Sequence, residues 1–170
     1  MPTNTFANLK AAKKEQVRQA LLTEFSNHSL ASAQVARIVK QAGIARGAFY
    51  KYFTDLTDAY QYLYQTAIVE IHTPLTRARH LLTAAEYVDQ IKAFVSEIDA
   101  SPYYGLMRQH FQTNEGLLRD QAAIPIKPHT ARGWAVMVLC HETIKDCLLQ
   151  PAEKQRAIER LEETLTALLQ

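Results

Sequence analysis

Apolar residues recur every three to four positions along nearly the whole chain, which is the spacing of helices that bury one face. In the first such segment a stripe of Val17, Ala20, Leu21 and Phe25 is interrupted only by Glu24. No segment shows the alternation of apolar and polar residues that predicts a pair of half-buried strands. Because 48% of the 170 residues are hydrophobic and only 5 are Gly, the composition is that of a folded helical protein. The sequence therefore predicts an all-α fold.

Breaks in this spacing predict where the helices begin and end. The predicted helices cover residues 11–27, 34–41, 46–52, 55–73, 83–99, 103–118, 130–149 and 152–169, each to within a residue or two. Ser32 is the predicted N-cap of the second helix, Gly43 closes it, and Thr54 or Asp55 caps the fourth, which Pro74 kinks or ends. The three short helices predict a small trihelical domain over residues 1–53, and about five helices fill residues 54–170, with the fourth helix connecting the two.

The segment Ala42-Gly43-Ile44-Ala45 has the pattern of the turn in a helix-turn-helix, with a glycine at the bend and an apolar residue after it. Phe49 is expected to pin the following helix to the core. Residues 1–60 carry eight Lys or Arg and four Asp or Glu, whereas residues 61–170 carry 11 and 13. A basic N-terminal third suits a chain that contacts a polyanion at that end.

Residues 42–53, with the sequence AGIARGAFYKYF, resemble the recognition-helix signature of the TetR family of transcriptional regulators. In that signature a Gly, an aliphatic residue, a small capping residue and a second Gly precede an aromatic pair. The resemblance extends over residues 13–60, approximately. It implies that residues 1–53 bind double-stranded DNA and that residues 54–170 form an effector-binding and dimerisation domain. The implied function is a ligand-responsive repressor that acts as a homodimer on a palindromic operator, with a small molecule as a possible effector.

The predicted recognition helix offers side chains for both bases and phosphates. Arg46 at its start is expected to reach guanine O6 and N7, and the Ala48 methyl group suits thymine. Gly47 would let the backbone approach DNA closely, and the resemblance implies that Tyr50 and Tyr52 hydrogen-bond to phosphates. The complete set of predicted DNA-binding residues is Gln34, Arg37, Arg46, Gly47, Ala48, Tyr50, Lys51 and Tyr52.

Three positions depart from the pattern that the resemblance implies. Ala45 stands where a Ser or Thr usually caps the recognition helix, and Gln34 stands where a Thr is common. Leu56 stands where a Lys normally contacts a phosphate, which predicts a shallower salt dependence of DNA binding.

The C-terminal half predicts a dimer interface. The stretch from Trp134 to Cys140 is apolar on every face, so a partner subunit is its expected cover, with an internal hairpin of a monomer as the alternative. The predicted interface residues are Trp134, Met137, Val138, His141, Ile158, Leu161 and Leu165. By resemblance, the middle helices line an effector pocket, with ordinary core as the alternative; its predicted residues are Tyr87, Phe94, Tyr104, Met107, His110 and Phe111.

No catalytic residues, metal site or cofactor are predicted, so an enzyme is not expected. His141-Glu142 begins like a zinc-protease helix, but Lys145 stands where the second His would be.

Cys140 and Cys147 are seven residues apart on a predicted helix, a Cα separation of about 10.5 Å that exceeds the reach of a disulfide. Free thiols, the lack of a visible signal peptide and the lack of a long apolar run predict a cytoplasmic protein without a membrane segment. The alternative function is an all-helical dimeric interaction module that has lost specific DNA binding.

Overall fold

The computed structural model describes residues 2–71, 82–117 and 130–170, and these ranges contain helices and no β-strand. The predicted all-α fold is therefore confirmed. The helices are α1 (Asn4–Ala7), α2 (Ala11–Asn27), α3 (Val35–Gln41), α4 (Arg46–Tyr52), α5 (Leu56–Glu70), α6 (Ala84–Ala100), α7 (Tyr104–Gln109), α8 (Ala131–Leu149) and α9 (Lys154–Leu169).

The predicted helix bounds are right where the apolar spacing is strong, and wrong where backbone geometry changes. α2 and α4 have the predicted bounds, whereas α1 is an unpredicted short helix that begins after its cap Thr3. The predicted helix over residues 103–118 is instead α7, a π-helical turn His110–Asn114 and a 3₁₀ turn Glu115–Leu117. The described residues do not include Pro74, residues 72–73 of the predicted fourth helix, Leu118 of the predicted sixth helix or the segment 122–128 between the sixth and seventh predicted helices.

The chain divides by packing into two compact units. Unit 1 comprises residues 1–70 and 102–116, with α2 packed against α3, α5 and α7. A Cβ on Gly105 would lie 2.9 Å from Ser26 Cβ, so α7 approaches α2 more closely than a side chain there would allow. The buried core of unit 1 includes Phe6, Val17, Leu21, Phe25, Ile38, Phe49, Phe53, Tyr60, Leu63 and Leu106.

Unit 2 comprises residues 71–101 and 117–170, and its described helices α6, α8 and α9 pack against one another. Thr83 begins α6 with a capping box, in which its side chain accepts from the Glu86 N–H and the Glu86 carboxylate accepts from the Thr83 N–H. Its buried core includes Val88, Ile91, Val95, Ile98, Val136, Ile144, Leu148, Ile158, Leu161 and Leu165. This division describes packing, and the functional boundary between residues 53 and 54 stays a prediction.

No helix in the described ranges has the length and apolar character needed to cross a membrane.

Candidate nucleic-acid interface

The turn between α3 and α4 depends on Gly43, whose φ of 55° lies in the left-handed region. A residue with a side chain is strained in that region, so glycine is the residue that ends α3 at least cost. The Ile44 N–H donates to the Val39 carbonyl at 3.1 Å, which closes the turn. From α2, the Lys13 ammonium donates to the carbonyls of Ala42 and Gly43 at 3.2 and 3.3 Å. The predicted turn is confirmed, with a cationic cap that the sequence did not reveal.

The start of α3 is held by Glu24, the one polar residue in the apolar stripe of α2. Its side chain is 4% exposed and receives hydrogen bonds from Arg37 Nε at 2.9 Å and Nη2 at 2.6 Å. It also accepts from the backbone N–H of Gln34, the residue that precedes α3, at 2.7 Å. The prediction that Ser32 is the N-cap is wrong, because its hydroxyl hydrogen-bonds to Ser29. The buried Glu24 carboxylate instead accepts from the backbone at the start of α3.

This arrangement also sets the ionisation of Glu24. Burial acts to raise the pKa of its carboxyl, but the hydrogen bonds from Arg37 and the Gln34 N–H outweigh burial and lower the pKa below its ordinary value. Glu24 therefore stays charged at neutral pH. Arg37 was predicted to contact phosphate. In the structure its Nε and Nη2 donate to Glu24, and Nη2 also donates to the Ser32 carbonyl at 2.9 Å. Phosphate contact stays a prediction.

One face of α4 is buried and the other is open. Phe49 and Phe53 are fully buried, with ring centroids 5.6 Å apart, and hold α4 on the core. Arg46 and Lys51 are exposed, Tyr50 is 49% exposed and Ala48 is half-buried. Tyr52, which was predicted to hydrogen-bond to a phosphate, is not on the open face: it is 8% exposed, and Phe6 of α1 lies against it with ring centroids 5.8 Å apart. Its phosphate contact stays a prediction.

Gly47 lies exposed in the first turn of α4, and a Cβ built on it meets no atom within 4 Å. Among the described residues there is thus no close contact that requires a glycine at this position. A helical glycine costs about 0.5–1 kcal/mol relative to alanine. The outer surface of α4 consequently offers bare backbone at the cost of stability.

The three residues that depart from the TetR pattern, Gln34, Ala45 and Leu56, lie at or next to the starts of α3, α4 and α5. Ala45 precedes α4 and provides no side-chain cap, and Gln34 is exposed. Leu56 is half-buried at the first position of α5. The start of α5 is capped as predicted by Asp55, whose Oδ1 accepts from the Asp58 N–H at 2.8 Å.

Residues 18–56 match a sequence model of the family described as bacterial regulatory proteins, tetR family. The N-terminal part of this chain is a TetR-family helix-turn-helix domain. The match covers α3, α4 and most of α2, so it includes both helices of the motif and the Gly43 turn.

Solved structures show the same fold over nearly the whole chain. A TetR family transcriptional regulator from Chloroflexus aurantiacus J-10-FL superposes with a TM-score of 0.60 and 22% identity, over 98% of this chain and 97% of that one. The fatty acid degradation regulator FadR from Bacillus halodurans superposes with a TM-score of 0.54 and 14% identity, over 94% of this chain and 97% of that one. Among curated proteins, no sequence matches significantly. The chain thus has the fold of TetR-family regulators.

The predicted pocket residues are divided between the two units. In unit 1, Met107 and Phe111 are buried, and His110 stacks on Tyr64 with centroids 4.2 Å apart while its Nδ1 shares a hydrogen bond of 3.0 Å with the Tyr60 hydroxyl. Tyr104 is half-buried in the same unit. In unit 2, Phe94 is buried and the hydroxyl of half-buried Tyr87 accepts from the Leu82 N–H at 3.3 Å. An effector pocket among these residues stays a prediction.

The predicted interface residues separate into exposed and buried groups. On α8, Trp134 is 57% exposed, Met137 40% and Val138 36%, and His141 is half-buried beside Glu142. On α9, which packs against α6 and α8, three of the predicted interface residues are buried within unit 2, and their part in an interface stays a prediction; these are Ile158, Leu161 and Leu165.

The two cysteines are free and buried in α8, in agreement with the expectation that they form no disulfide. Burial raises the pKa of the Cys140 thiol to about 11, and burial also raises the pKa of Cys147. Over residues 2–71, 82–117 and 130–170, no group of His, Cys, Asp or Glu is arranged to hold a metal ion. That the chain is not an enzyme stays a prediction.

Proposed function

We propose that this chain is a sequence-specific, DNA-binding transcriptional regulator that acts as a homodimer, in which α4 is the recognition helix. The observation that carries the proposal is the outer face of α4. It combines exposed Arg46, Tyr50 and Lys51 with the open backbone at Gly47, all on a helix fixed from behind by Phe49. Cationic and hydroxyl side chains suit phosphates and base edges in a major groove.

The distribution of charge supports the same end of the molecule as the DNA-binding end. Eight of the 19 Lys and Arg residues lie within residues 1–60, against four of the 17 acidic residues. Glu24 and Arg37 form an ion pair in which only the carboxylate is buried, and because the pair removes one charge of each sign it leaves the positive excess unchanged. The excess of positive charge favours association with a polyanion and predicts that affinity falls with salt.

The exposed apolar residues of α8 support the dimer. Trp134, Met137 and Val138 follow the i, i+3, i+4 spacing that places side chains on one helix face. A cluster of large exposed apolar side chains marks an interaction surface. We propose a second copy of the chain as its cover, because a two-fold dimer would also present two α4 helices to half-sites about 34–36 Å apart on DNA.

The proposed mode of action is repression that an effector relieves. The dimer would occupy two successive major grooves and block transcription nearby. A small molecule that binds the released conformation more tightly than the DNA-bound one would shift the population toward release. α5 directly follows the helix-turn-helix, so it is the proposed element through which such a shift reaches α4.

The test begins with selection of binding sequences from a random DNA pool, followed by fluorescence anisotropy at two salt concentrations. Arg46→Ala should lose about 1–3 kcal/mol of affinity for the selected sequence. Lys51→Ala should weaken binding to all sequences and reduce the salt slope by about 1. Arg156→Ala is the matched control, because it removes the same charge from a side chain of α9 that is 86% exposed. It should leave both the affinity and the salt slope unchanged.

A second function is favoured by Ala45 and Leu56, which lack the cap and the phosphate contact that the resemblance implies. If selection enriches no sequence and the wild type binds all DNA equally, the regulator proposal fails. A folded dimer with that behaviour would be an interaction module instead.

A further inference from the structure

The recognition helix α4 has few means of holding its own position. It is seven residues long, and its N-cap Ala45 offers no side-chain acceptor. The last carbonyls of any α-helix lack partners within the helix, and a helix this short is unstable on its own. The orientation of α4 must therefore come from the elements that contact it.

The segment Thr3–Ala7, which consists of Thr3 and α1, makes the contact at the C-terminal end of α4. The Thr3 hydroxyl donates to the Lys51 carbonyl at 2.6 Å, and the Thr3 N–H donates to the Tyr52 carbonyl at 3.0 Å. Two of the unpaired carbonyls of α4 are satisfied in this way. The same hydroxyl accepts from the Phe6 N–H at 3.4 Å and begins α1. One side chain thus joins the start of α1 to the end of α4.

Phe6 adds an apolar anchor beside these hydrogen bonds. It is 1% exposed, and its ring centroid lies 5.8 Å from that of Tyr52, 4.9 Å from Phe53 and 5.0 Å from Tyr62 of α5. Aromatic pairs at these separations and tilted angles are attractive beyond the area that they bury. The end of α4 is therefore held between α1 and α5.

The segment is in turn fastened to α2. The Lys14 ammonium donates to the Ala7 carbonyl at 2.9 Å and lies 5.9 Å from the centre of the Phe6 ring. The other end of the motif receives similar support, since Lys13 donates to the carbonyls that end α3. Neighbouring residues of α2 thus brace the helix-turn-helix at two points.

We propose that Thr3–Ala7 is a clamp that sets the orientation of the recognition helix, with Thr3 as its positioning residue. The inference deepens the proposed function and rests on it. Base recognition by bidentate hydrogen bonds requires fixed geometry, whereas attraction to phosphates tolerates misorientation. When only a fraction of molecules holds α4 correctly, the apparent affinity falls by that fraction. Release of the clamp therefore lowers affinity for the selected DNA sequence and leaves affinity for unrelated DNA unchanged.

The experiment compares Thr3→Val, which keeps the shape of the side chain and removes the hydroxyl, with Thr3→Ser, which keeps the hydroxyl. For each full-length protein, amide hydrogen exchange is measured well below the unfolding midpoint, together with affinity for the selected sequence and for unrelated DNA. In Thr3→Val we expect exchange at least tenfold faster at the amides of residues 50–53 and unchanged in α2. The ratio of specific to non-specific affinity should fall at least threefold, and Thr3→Ser should restore both values.

Unchanged exchange in Thr3→Val would overturn the clamp, and so would faster exchange with an unchanged affinity ratio. A uniform rise in exchange across α2 and α4 would indicate a general loss of stability and would also overturn it. If the wild type itself binds both DNAs equally, the proposed function fails, and the exchange rates alone then support or overturn the clamp.

Discussion

A single methyl group added at position 47 is expected to stabilise the fold and weaken DNA binding at the same time. Gly47 is the second residue of α4, and among the chain's glycines the left-handed φ belongs to Gly43. A Cβ at position 47 meets no atom of residues 2–71, 82–117 and 130–170 within 4 Å, so Gly47→Ala introduces no clash with this part of the chain. The substitution should therefore raise the stability of the fold, and it should lower the affinity only for a ligand that approaches the backbone at this position.

The two magnitudes have opposite signs. Replacing glycine by alanine in a helix stabilises by about 0.5–1 kcal/mol, which for a chain of this length raises the unfolding midpoint by roughly 1–4 °C. At the DNA, the methyl group would occupy the space into which the bases or sugars must fit. We expect at least a tenfold loss of affinity for the selected sequence, equivalent to about 1.4 kcal/mol.

The assay pairs thermal unfolding by circular dichroism with fluorescence anisotropy on the selected DNA. Gly116→Ala is the matched control, because a Cβ at that glycine also meets no atom within 4 Å and it lies in the 3₁₀ turn far along the chain from α4. The control should keep wild-type DNA affinity. A Gly47→Ala protein with a raised unfolding midpoint and unchanged DNA affinity would refute the inference that DNA approaches the backbone closely at Gly47.

Glu24→Gln should destabilise the fold by about 2 kcal/mol at pH 7, because Arg37 and a backbone N–H lose their charged acceptor. Since the folded pKa of Glu24 is lowered, its contribution is complete above the ordinary glutamate pKa of about 4.3 and is lost as the pH falls through the lowered value. Urea unfolding of wild type and variant should therefore converge in acid, and a constant difference would contradict this. Leu56→Lys should tighten DNA binding and steepen the slope of log K against log salt by about 0.9; an unchanged slope would mean that the start of α5 does not reach DNA. Met137→Glu should weaken the dimer at least tenfold in sedimentation, whereas Val69→Glu, a control at a 74% exposed residue of α5, should not.

Sequence patterns predicted the parts of the fold that short-range physics decides. The bounds of α2 and α4 follow from apolar spacing within a single helix, and the turn between α3 and α4 follows from Gly43. The open face of α4 was predicted for the same reason, since Phe49 and Phe53 fix which side is buried. All of these signals lie within a few residues of one another.

Contacts between distant residues gave no such signal. Glu24 and Arg37 are 13 residues apart on different helices. The sequence therefore showed Glu24 only as an interruption of the apolar stripe of α2 and did not reveal its partner. Thr3 and Lys51 are 48 residues apart, and α1 is too short to show periodicity, so the burial of Tyr52 was missed.

Apolar spacing also does not say which partner covers a helix face. For this reason the sequence could not separate the interior of unit 2 from a dimer interface at Leu161 and Leu165. It likewise gave no warning of the π-helical turn at His110–Asn114, where the backbone departs from α-helical geometry without a proline.

The burial of the two cysteines makes the natural sequence a convenient background for site-directed probes. With a pKa of about 11, the Cys140 thiol is ionised in about one molecule in ten thousand at pH 7, and Cys147 is only 1% exposed. Maleimide and methanethiosulfonate reagents are electrophiles that thiolates attack, so both native thiols should stay unlabelled in the folded protein. A Lys51→Cys protein would then carry one dye or spin label per chain, and the distance between two labels in a dimer would report the separation of the recognition helices directly.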